Sequence, residues 1–183
     1  MRDAEVFSSF VLLPSSFVRR SPTLGRIGLY PGTFDPVTFG HLDLIKRATS
    51  IFDEVIVGVA QNSHKKPLFP LEERLLMVKE CTRGLPQVRV EAFEGLVIDF
   101  AKKKQVSCLI RGVRMFSDFE YELQMALTNR RLNERMETVF LMPSEGYSFL
   151  SSTLLKEAAQ LGANVSSFVP KVVEKRLKER LKK

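Results

Sequence analysis

The chain has 183 residues, 44% of them apolar and 27% charged, which suits one globular domain with a core of its own. Its net charge is +7, but residues 171–183 hold seven basic and two acidic residues, so the charge gives little support to nucleic-acid binding. Apolar runs fall short of the roughly 18–20 residues of a membrane span, and two cysteines outside any CxxC motif argue against a disulfide framework or zinc site. We expect a cytoplasmic protein with reduced thiols and with neither nucleic acid nor membrane as a partner.

Residues 1–24 differ from the rest of the chain, because they combine serines and prolines with one short apolar run at 10–13. Asp3 and Glu5 argue against both a secretory signal and an organellar transit peptide. We expect a disordered extension over 1–24, or translation from an upstream start, followed by one domain over 25–183.

From Arg26 onward, apolar runs typical of buried strands alternate with helical patterns. The runs occupy 27–30, 55–60, 88–92, 108–110 and 138–142. Amphipathic spacing predicts helices over about 41–52, 71–83, 95–104, 118–134 and 152–161, and a last helix in the tail. The alternation predicts an α/β fold: a Rossmann-like, doubly wound, five-stranded parallel sheet with helices on both faces, right-handed crossovers and a C-terminal amphipathic helix.

Ligands of such folds bind at the carboxyl ends of the strands, so the informative loops are 31–41, 61–70, 93–97, 111–118 and 143–153. The first loop contains Pro31 and Pro36, which restrict the backbone, and Gly40, which permits a close approach. It ends at His41 in the first turn of a predicted helix, where free N–H groups and the helix dipole favour an anion. His41 is therefore a candidate for contact with a phosphate.

The other loops at this edge also offer groups that bind phosphate. They contain lysines at 65 and 66, the guanidinium groups of Arg111 and Arg114, and the hydroxyl-rich stretch 147–153. The sequence has neither a GxxxxGK[ST] P-loop nor a GxGxxG motif after the first strand. A polyphosphate ligand is therefore indicated. Since no carboxylate triad is evident, we predict no metal site built by the protein, and Mg²⁺ would be carried by the phosphates of the ligand.

Several motifs resemble known signatures. Thr38-x-Gly40-His41 and Leu150-Ser-Ser-Thr153 are similar to the two signatures of the nucleotidyltransferase superfamily that contains the class I aminoacyl-tRNA synthetases. The chain resembles the bacterial phosphopantetheine adenylyltransferase family more closely. The motifs that carry this resemblance are PGTFDP at 31–36, KKP at 65–67, LEER at 71–74, IRGVR at 110–114, DFEYE at 118–122 and FLMPS at 140–144. The likeness runs from about residue 26 to residue 169, which implies that 25–183 is a nucleotidyltransferase domain.

This resemblance implies the penultimate step of coenzyme A synthesis, in which ATP and 4′-phosphopantetheine give dephospho-coenzyme A and pyrophosphate reversibly. In that family Mg²⁺ is required, and the 4′-phosphate attacks the α-phosphorus of ATP in line, without a covalent enzyme intermediate. The loops agree with this, because they offer phosphate-binding groups and no evident nucleophile. The family also implies a cytoplasmic homohexamer that coenzyme A inhibits.

The resemblance also implies roles for residues at matching positions. His41 would stabilise the transition state by a hydrogen bond to the α-phosphate, and Arg114 and the hydroxyl loop would bind the ATP phosphates. The phosphopantetheine contacts would be Thr33, Lys65, Val97 and Arg111. The ATP contacts would be Thr33, Phe34, His41, Gly112, Val113, Arg114, Glu122, Tyr147, Ser148, Phe149, Leu150, Ser151, Ser152 and Thr153.

Two positions set this chain apart within the family pattern: Phe39 stands where a small polar residue is common, and Val97 is the residue of the pantetheine pocket. From the residues alone, Glu122 has the alternative of pairing with Arg130 or Arg131. The aromatic side chains at 116, 119 and 121 are expected to pack rather than to stack on a base.

Two other functions stay open on the sequence. A sister nucleotidyltransferase would act on nicotinamide mononucleotide or form a CDP-alcohol. Against it, those families usually have His where this chain has Thr38, and cytidylyltransferases usually show RTEGIS where it has EGYSFLSST. A non-catalytic nucleotide sensor or a basic nucleic-acid-binding protein is disfavoured by the confinement of positive charge to the tail and by the intact loop at His41.

Overall fold

The computed structural model describes residues 25–61 and 66–181, and the extension predicted over 1–24 lies outside this part of the chain. Within it, five parallel strands form one sheet in the order β3-β2-β1-β4-β5. The strands are β1 (Ile27–Gly32), β2 (Glu54–Ala60), β3 (Val88–Phe93), β4 (Cys108–Gly112) and β5 (Glu137–Leu141). Each strand overlaps a predicted run, so the predicted doubly wound parallel sheet is confirmed.

The helices also follow the predicted pattern. They are α1 (Phe39–Ala48), α2 (Leu71–Thr82), α3 (Val97–Lys103), α4 (Phe116–Leu132), α5 (Ser152–Gln160) and α6 (Lys171–Leu181). α1 begins two residues earlier than predicted, because Thr38 caps its N terminus. α2 begins directly after Pro70 with two glutamates in its first turn, as the helix dipole favours. α6 buries Val173 and Leu177 and is the amphipathic tail helix.

Successive side chains of a strand point to opposite faces of a sheet, and consecutive residues of the three central strands β2, β1 and β4 are buried. Both faces of the centre of the sheet are therefore covered. On one face, Tyr30 and Val57 pack with buried residues of α1, α2, α5 and α6. On the other face, Leu29 and Ile56 pack with the buried residues of α3. The prediction of helices on both faces is therefore confirmed. In the described ranges, no helix is long and apolar enough to span a membrane.

α4 contacts the edge strand β5 and buries only Asn129. Phe116 and Tyr121 are 93% and 62% exposed, so the expectation that they pack is wrong for the single chain. Phe119 does pack, edge to face on Phe140 of β5, with 5.9 Å between the ring centroids. The composition of α4 indicated burial, but much of its apolar surface is left uncovered by this chain.

Candidate active site

A cavity of about 700 Å³ opens at the carboxyl ends of β1 and β4, where the strand order reverses. Doubly wound sheets bind their ligands in this crevice. The predicted site residues that line it are Thr33, Phe34, His41, Val97, Arg111, Gly112, Arg114, Tyr147, Leu150, Ser151, Ser152 and Thr153. Loops far apart in sequence therefore meet in one place, as the parallel topology requires.

Some predicted contacts are not among the lining residues. Val113 donates its backbone N–H to a carbonyl of β5 at 3.0 Å and so extends the sheet ladder. Ser148 donates its hydroxyl to the carbonyl of Glu145 at 2.9 Å, and Phe149 is 59% exposed. Lys65 lies outside the described residues.

His41 belongs to the N-terminal cap of α1, in a reciprocal pair with Thr38. The backbone N–H of Thr38 donates to His41 Nδ1 at 3.1 Å, and the backbone N–H of His41 donates to Thr38 Oγ1 at 3.4 Å. A histidine thus takes the place of the Glu or Gln of a capping box. Because Nδ1 is an acceptor, the hydrogen of the neutral ring is on Nε2, which is left as the donor of a side chain that lines the cavity.

The imidazole of His41 is neutral at physiological pH. Its pKa is lowered to about 4, mainly by burial and in addition by the positive charge of Arg114. A neutral ring that carries its hydrogen on Nε2 acts as a hydrogen-bond donor and not as a cation. It can stabilise a developing oxyanion without changing its own protonation state.

Phe34 is strained in the loop that leads to His41. Its φ is 50°, in the left-handed region, which costs a bulky residue about 1–3 kcal/mol. Its ring packs edge to face on Tyr30 at 5.5 Å and on His41 at 5.1 Å between centroids. These contacts hold the loop in the strained conformation and join the end of β1 to the imidazole.

Arg111 is held by Glu122 of α4. Its Nε and Nη2 donate to the two carboxylate oxygens at 2.6 and 2.7 Å, and its Nη1 donates to the carbonyl of Pro31 at 3.2 Å. The alternative pairing of Glu122 with Arg130 or Arg131 is therefore wrong. Arg111 lines the cavity. Glu122 does not line it, because its carboxylate faces Arg111.

Arg114 and Gly112 complete the end of β4. Arg114 donates from Nη1 to the carbonyl of Leu150 at 2.7 Å and from Nε to Asp118 at 3.0 Å. A Cβ at Gly112 would lie 2.4 Å from Leu44 Cδ1, so a larger residue here would require the end of the Leu44 side chain to move. The glycine between the two arginines therefore leaves room for Leu44 of α1.

α5 begins at the cavity with a run of hydroxyl side chains. Ser151 Oγ caps the helix by accepting from the backbone N–H of Thr153 at 3.3 Å. Ser152 donates its hydroxyl to the carbonyl of Pro36 at 3.0 Å, which ties the start of α5 to the loop after β1. The free N–H groups of this helix end and the nearby hydroxyls are suited to an anion.

Phe39 and Val97, the two positions that set this chain apart, both lie at or beside the cavity. The ring of Phe39 lies 6.1 Å from that of Tyr147, so the two aromatic side chains pack beside the cavity. Val97 opens α3 and lines the cavity with Leu96, which is 59% exposed. Both positions therefore shape the site by contact with its lining.

Sequence reasoning missed one wall of the cavity. Five residues of α4 line it: Met125, Ala126, Thr128, Asn129 and Leu132. Their spacing follows one face of a helix, so the signal was present in the sequence. Two charged lining residues were also not assigned from the sequence: Asp35, although it lies in the PGTFDP motif, and Lys156, which lies in no motif.

The described residues offer little to a metal ion. Among residues 25–61 and 66–181, no three His, Cys, Asp or Glu side chains are grouped so that they could hold one. Asp35 is the one carboxylate among the described residues that line the cavity. Its oxygens already accept from the backbone N–H groups of Leu68 and Phe69 and from Lys156.

Comparison with known proteins gives consistent results. The sequence profile of the cytidylyltransferase-like family matches residues 29–158. A phosphopantetheine adenylyltransferase of Caldanaerobacter subterraneus subsp. tengcongensis is 52% identical over 158 residues, which are 86% of this chain and 99% of that protein. Another, of Thermodesulfovibrio yellowstonii, is 55% identical over 159 residues, with the same coverage of each chain.

Among solved structures, a Vibrio parahaemolyticus protein described as a nicotinate-nucleotide adenylyltransferase aligns with 86% of this chain and 95% of its own. The TM-score is 0.64 and the sequence identity is 20%, so this likeness concerns the fold alone.

Proposed function

The chain belongs to the phosphopantetheine adenylyltransferase family, and on this premise we propose that it transfers an adenylyl group reversibly from ATP to 4′-phosphopantetheine. The products are dephospho-coenzyme A and pyrophosphate, in coenzyme A biosynthesis. One observation carries the mechanistic part of the proposal: a neutral His41, fixed by Thr38 with its hydrogen on Nε2, lines a cavity together with two arginines.

The transfer is a direct in-line displacement. An oxygen of the 4′-phosphate forms a bond to the α-phosphorus while the bond from that phosphorus to the bridging oxygen of pyrophosphate breaks. His41 Nε2–H donates to an oxygen of the α-phosphate, where charge develops in the transition state. Because substrate phosphate is the nucleophile, the protein contributes positioning and charge stabilisation and forms no covalent intermediate.

The substrates bind on opposite sides of His41. Lys65, Val97 and Arg111 bind phosphopantetheine, Thr33 contacts both substrates, and the wall of α4 faces the pantetheine arm. On the other side, Arg114 and the hydroxyls of the segment 151–153 bind the phosphates of ATP, together with the free N–H groups at the start of α5. The remaining predicted ATP contacts adjoin these residues in sequence or in space: Phe34, Gly112, Val113, Glu122, Tyr147, Ser148, Phe149 and Leu150.

Mg²⁺ is carried into the site by ATP. Asp35 is the one carboxylate among the described residues that line the cavity, and donors of the protein already engage it, so the phosphates would supply the charged oxygen ligands of the cation. The ion neutralises charge on the phosphates of ATP. The described residues then have only to orient those phosphates, which the arginines and hydroxyls can do.

The enzyme acts in the cytoplasm as a homohexamer. Support for assembly comes from α4, where Phe116, Tyr121 and Leu127 are 93%, 62% and 55% exposed. An apolar surface of this kind is typical of an interface. Sedimentation of the purified protein should give the mass of six chains.

The test of the proposed function is an assay of the purified protein with ATP, Mg²⁺ and 4′-phosphopantetheine. Pyrophosphate should be released, and dephospho-coenzyme A with pyrophosphate should give ATP in the reverse direction. Turnover with nicotinamide mononucleotide or with CTP instead would reject the proposal.

A further inference from the structure

Asp35 is a buried carboxylate that binds two distant segments of the chain. It is 5% exposed and follows Phe34 in the loop after β1. The backbone N–H groups of Leu68 and Phe69 donate to its oxygens at 2.9 Å each, and Lys156 Nζ donates at 2.5 Å from α5. A buried charge is tolerated when it has partners of this kind, so the arrangement is stable only as a set.

The two segments adjoin residues that the proposed function assigns to different substrates. On the phosphopantetheine side, Leu68 follows the KKP motif, and Pro67 of that motif lines the cavity. On the ATP side, Ser152 and Lys156 are one helical turn apart on α5 and face the same way. Ser152 binds the carbonyl of Pro36, next to Asp35, so α5 is tied to this loop at two adjacent residues.

Arg74 binds backbone carbonyl groups at or next to the residues that Asp35 binds. It is 1% exposed, and its Nε donates to the carbonyl of Phe69 at 3.0 Å. Its Nη1 donates to the carbonyls of Thr33 and Ala60 at 2.7 and 2.8 Å. The backbone of Phe69 is therefore held at its N–H by Asp35 and at its C=O by Arg74, against the strand ends that lead into the site.

We propose that Asp35 is a positioning residue that couples the two substrate-binding sides of the cavity. It fixes the segment 66–69 and the start of α5 in one arrangement relative to His41. Since its oxygens are engaged by donors of the protein, Asp35 acts through these segments and not by contact with a substrate. The kinetic part of the test rests on the proposed function, whereas the hydrogen bonds can be tested in the free protein.

Two variants distinguish the effect of Asp35 on the segment 66–69 from its effect on α5. Asp35→Asn keeps the volume of the side chain, but it removes the negative charge that pairs with Lys156 and leaves one acceptor oxygen for three donors from the two segments. Lys156→Met removes the ammonium group and keeps an apolar stem, so only α5 is released. Lys104→Met is the matched control: Lys104 pairs with Glu91, its side chain is 26% exposed against 21% for Lys156, and neither residue of that pair lines the cavity.

Initial rates should be measured with each substrate varied in turn. Asp35→Asn should raise the KM for both substrates roughly tenfold, because small displacements of binding groups are costly. Lys156→Met should raise the KM for ATP roughly tenfold and leave that for phosphopantetheine within about twofold. Lys156→Arg should restore most of the ATP affinity, and Lys104→Met should change neither KM.

An effect of one variant without the other on the KM for ATP would overturn the proposal. If Lys156→Met raises the KM for ATP while Asp35→Asn does not, Lys156 contacts ATP directly and Asp35 positions nothing on that side. If Asp35→Asn lowers the melting temperature with both KM values unchanged, its role is structural only. Should Asp35→Asn fail to fold, an unchanged KM for ATP in Lys156→Met would still overturn the proposal.

Hydrogen exchange gives a readout that needs no activity. In Asp35→Asn, which keeps one acceptor oxygen, at least one of the amides of Leu68 and Phe69 should exchange faster than in the wild type, whereas Lys156→Met should leave both protected. Equal protection of these amides in Asp35→Asn and wild type would overturn the proposal. A wild-type protein that transfers no adenylyl group would refute the proposed function, and the exchange data would still decide the role of Asp35.

Discussion

The two walls of the cavity are built in different ways. The wall formed by the loop after β1 and the start of α1 is buried and internally bonded: Phe34 packs on His41, and Thr38 exchanges two hydrogen bonds with His41. The wall formed by α4 is largely exposed, and the described chain ties it to β4 through Glu122 and Arg111. One wall is complete in the single chain, and the other presents apolar surface that a further molecule can cover.

The difference separates two tasks. Stabilising a transition state requires donors held in advance, which a capped helix end and a packed loop provide. Binding a long, flexible substrate arm requires apolar surface, and α4 offers this surface with less internal restraint. Changes in the first wall should therefore affect the chemical step, whereas changes in the second should affect binding.

The largest effect is expected for His41→Ala. Loss of a donor to the α-phosphate should lower kcat by roughly 10²–10³ with a modest change in ATP affinity. The matched variant is His41→Gln, since Gln at this position of a helix restores the capping box. It should recover stability and, because its NH₂ group is also a hydrogen-bond donor, part of the lost kcat. If kcat is unchanged in His41→Ala, His41 has no part in the mechanism.

A smaller effect is expected for Gly112→Ala, which would displace the end of the Leu44 side chain of α1. The new Cβ would lie 2.4 Å from Leu44 Cδ1, and overpacking of this kind costs about 1–3 kcal/mol. Gly84→Ala is the control, since a Cβ there meets no atom within 4 Å. Urea unfolding at one protein concentration measures both. Equal stability of the two variants would contradict the account.

Glu122→Gln tests the link between α4 and β4. The pair with Arg111 has side chains 12% and 30% exposed, so weakening it should cost about 1–2 kcal/mol and raise the KM for phosphopantetheine severalfold. Asp118→Asn weakens the more exposed pair with Arg114 and should cost less than about 1 kcal/mol. Similar KM values in both variants would show that Glu122 does not orient Arg111 for this substrate.

The smallest expected change is in pH dependence. His41 has a pKa of about 4 in the folded chain and an ordinary pKa near 6.5, so the folded ring stays neutral while an unfolded ring takes up a proton below 6.5. Its contribution to stability is present above pH 6.5 and is lost as pH falls towards 4. In proton NMR, the His41 ring should not titrate between pH 6 and 8, with His64→Gln used for assignment. A midpoint near 6.5 would contradict the structure.

Much of the fold could be predicted from the sequence, because strand runs and helix spacing recur with clear periods. The order of the loops at the sheet edge then follows from parallel topology, which is why Arg111 and Thr153 could be assigned to one cavity. The pairing of Arg111 with Glu122 could not be predicted, since it depends on how α4 crosses the sheet. Local sequence offered Arg130 or Arg131 as the partner of Glu122.

The exposure of aromatic side chains on α4 could not be predicted from the sequence either. Phe116 and Tyr121 have the composition of core residues, and the sequence does not tell whether an apolar side chain is covered by its own chain or by another molecule. The left-handed backbone conformation of Phe34 could not be predicted from the sequence for a related reason. Local preference disfavours it, and only the packing on Tyr30 and His41 overrides that preference.

The reciprocal bonds between Thr38 and His41 have a consequence for how protons are handled over a catalytic cycle. With Nδ1 occupied by a backbone N–H, the ring has one nitrogen for the substrate and cannot pass a proton from one side to the other. His41 would therefore begin and end each turnover in the same ionisation state and would need no resetting step. Synthesis and pyrophosphorolysis would use one form of the enzyme, and the balance between them would not shift with the ionisation of this histidine.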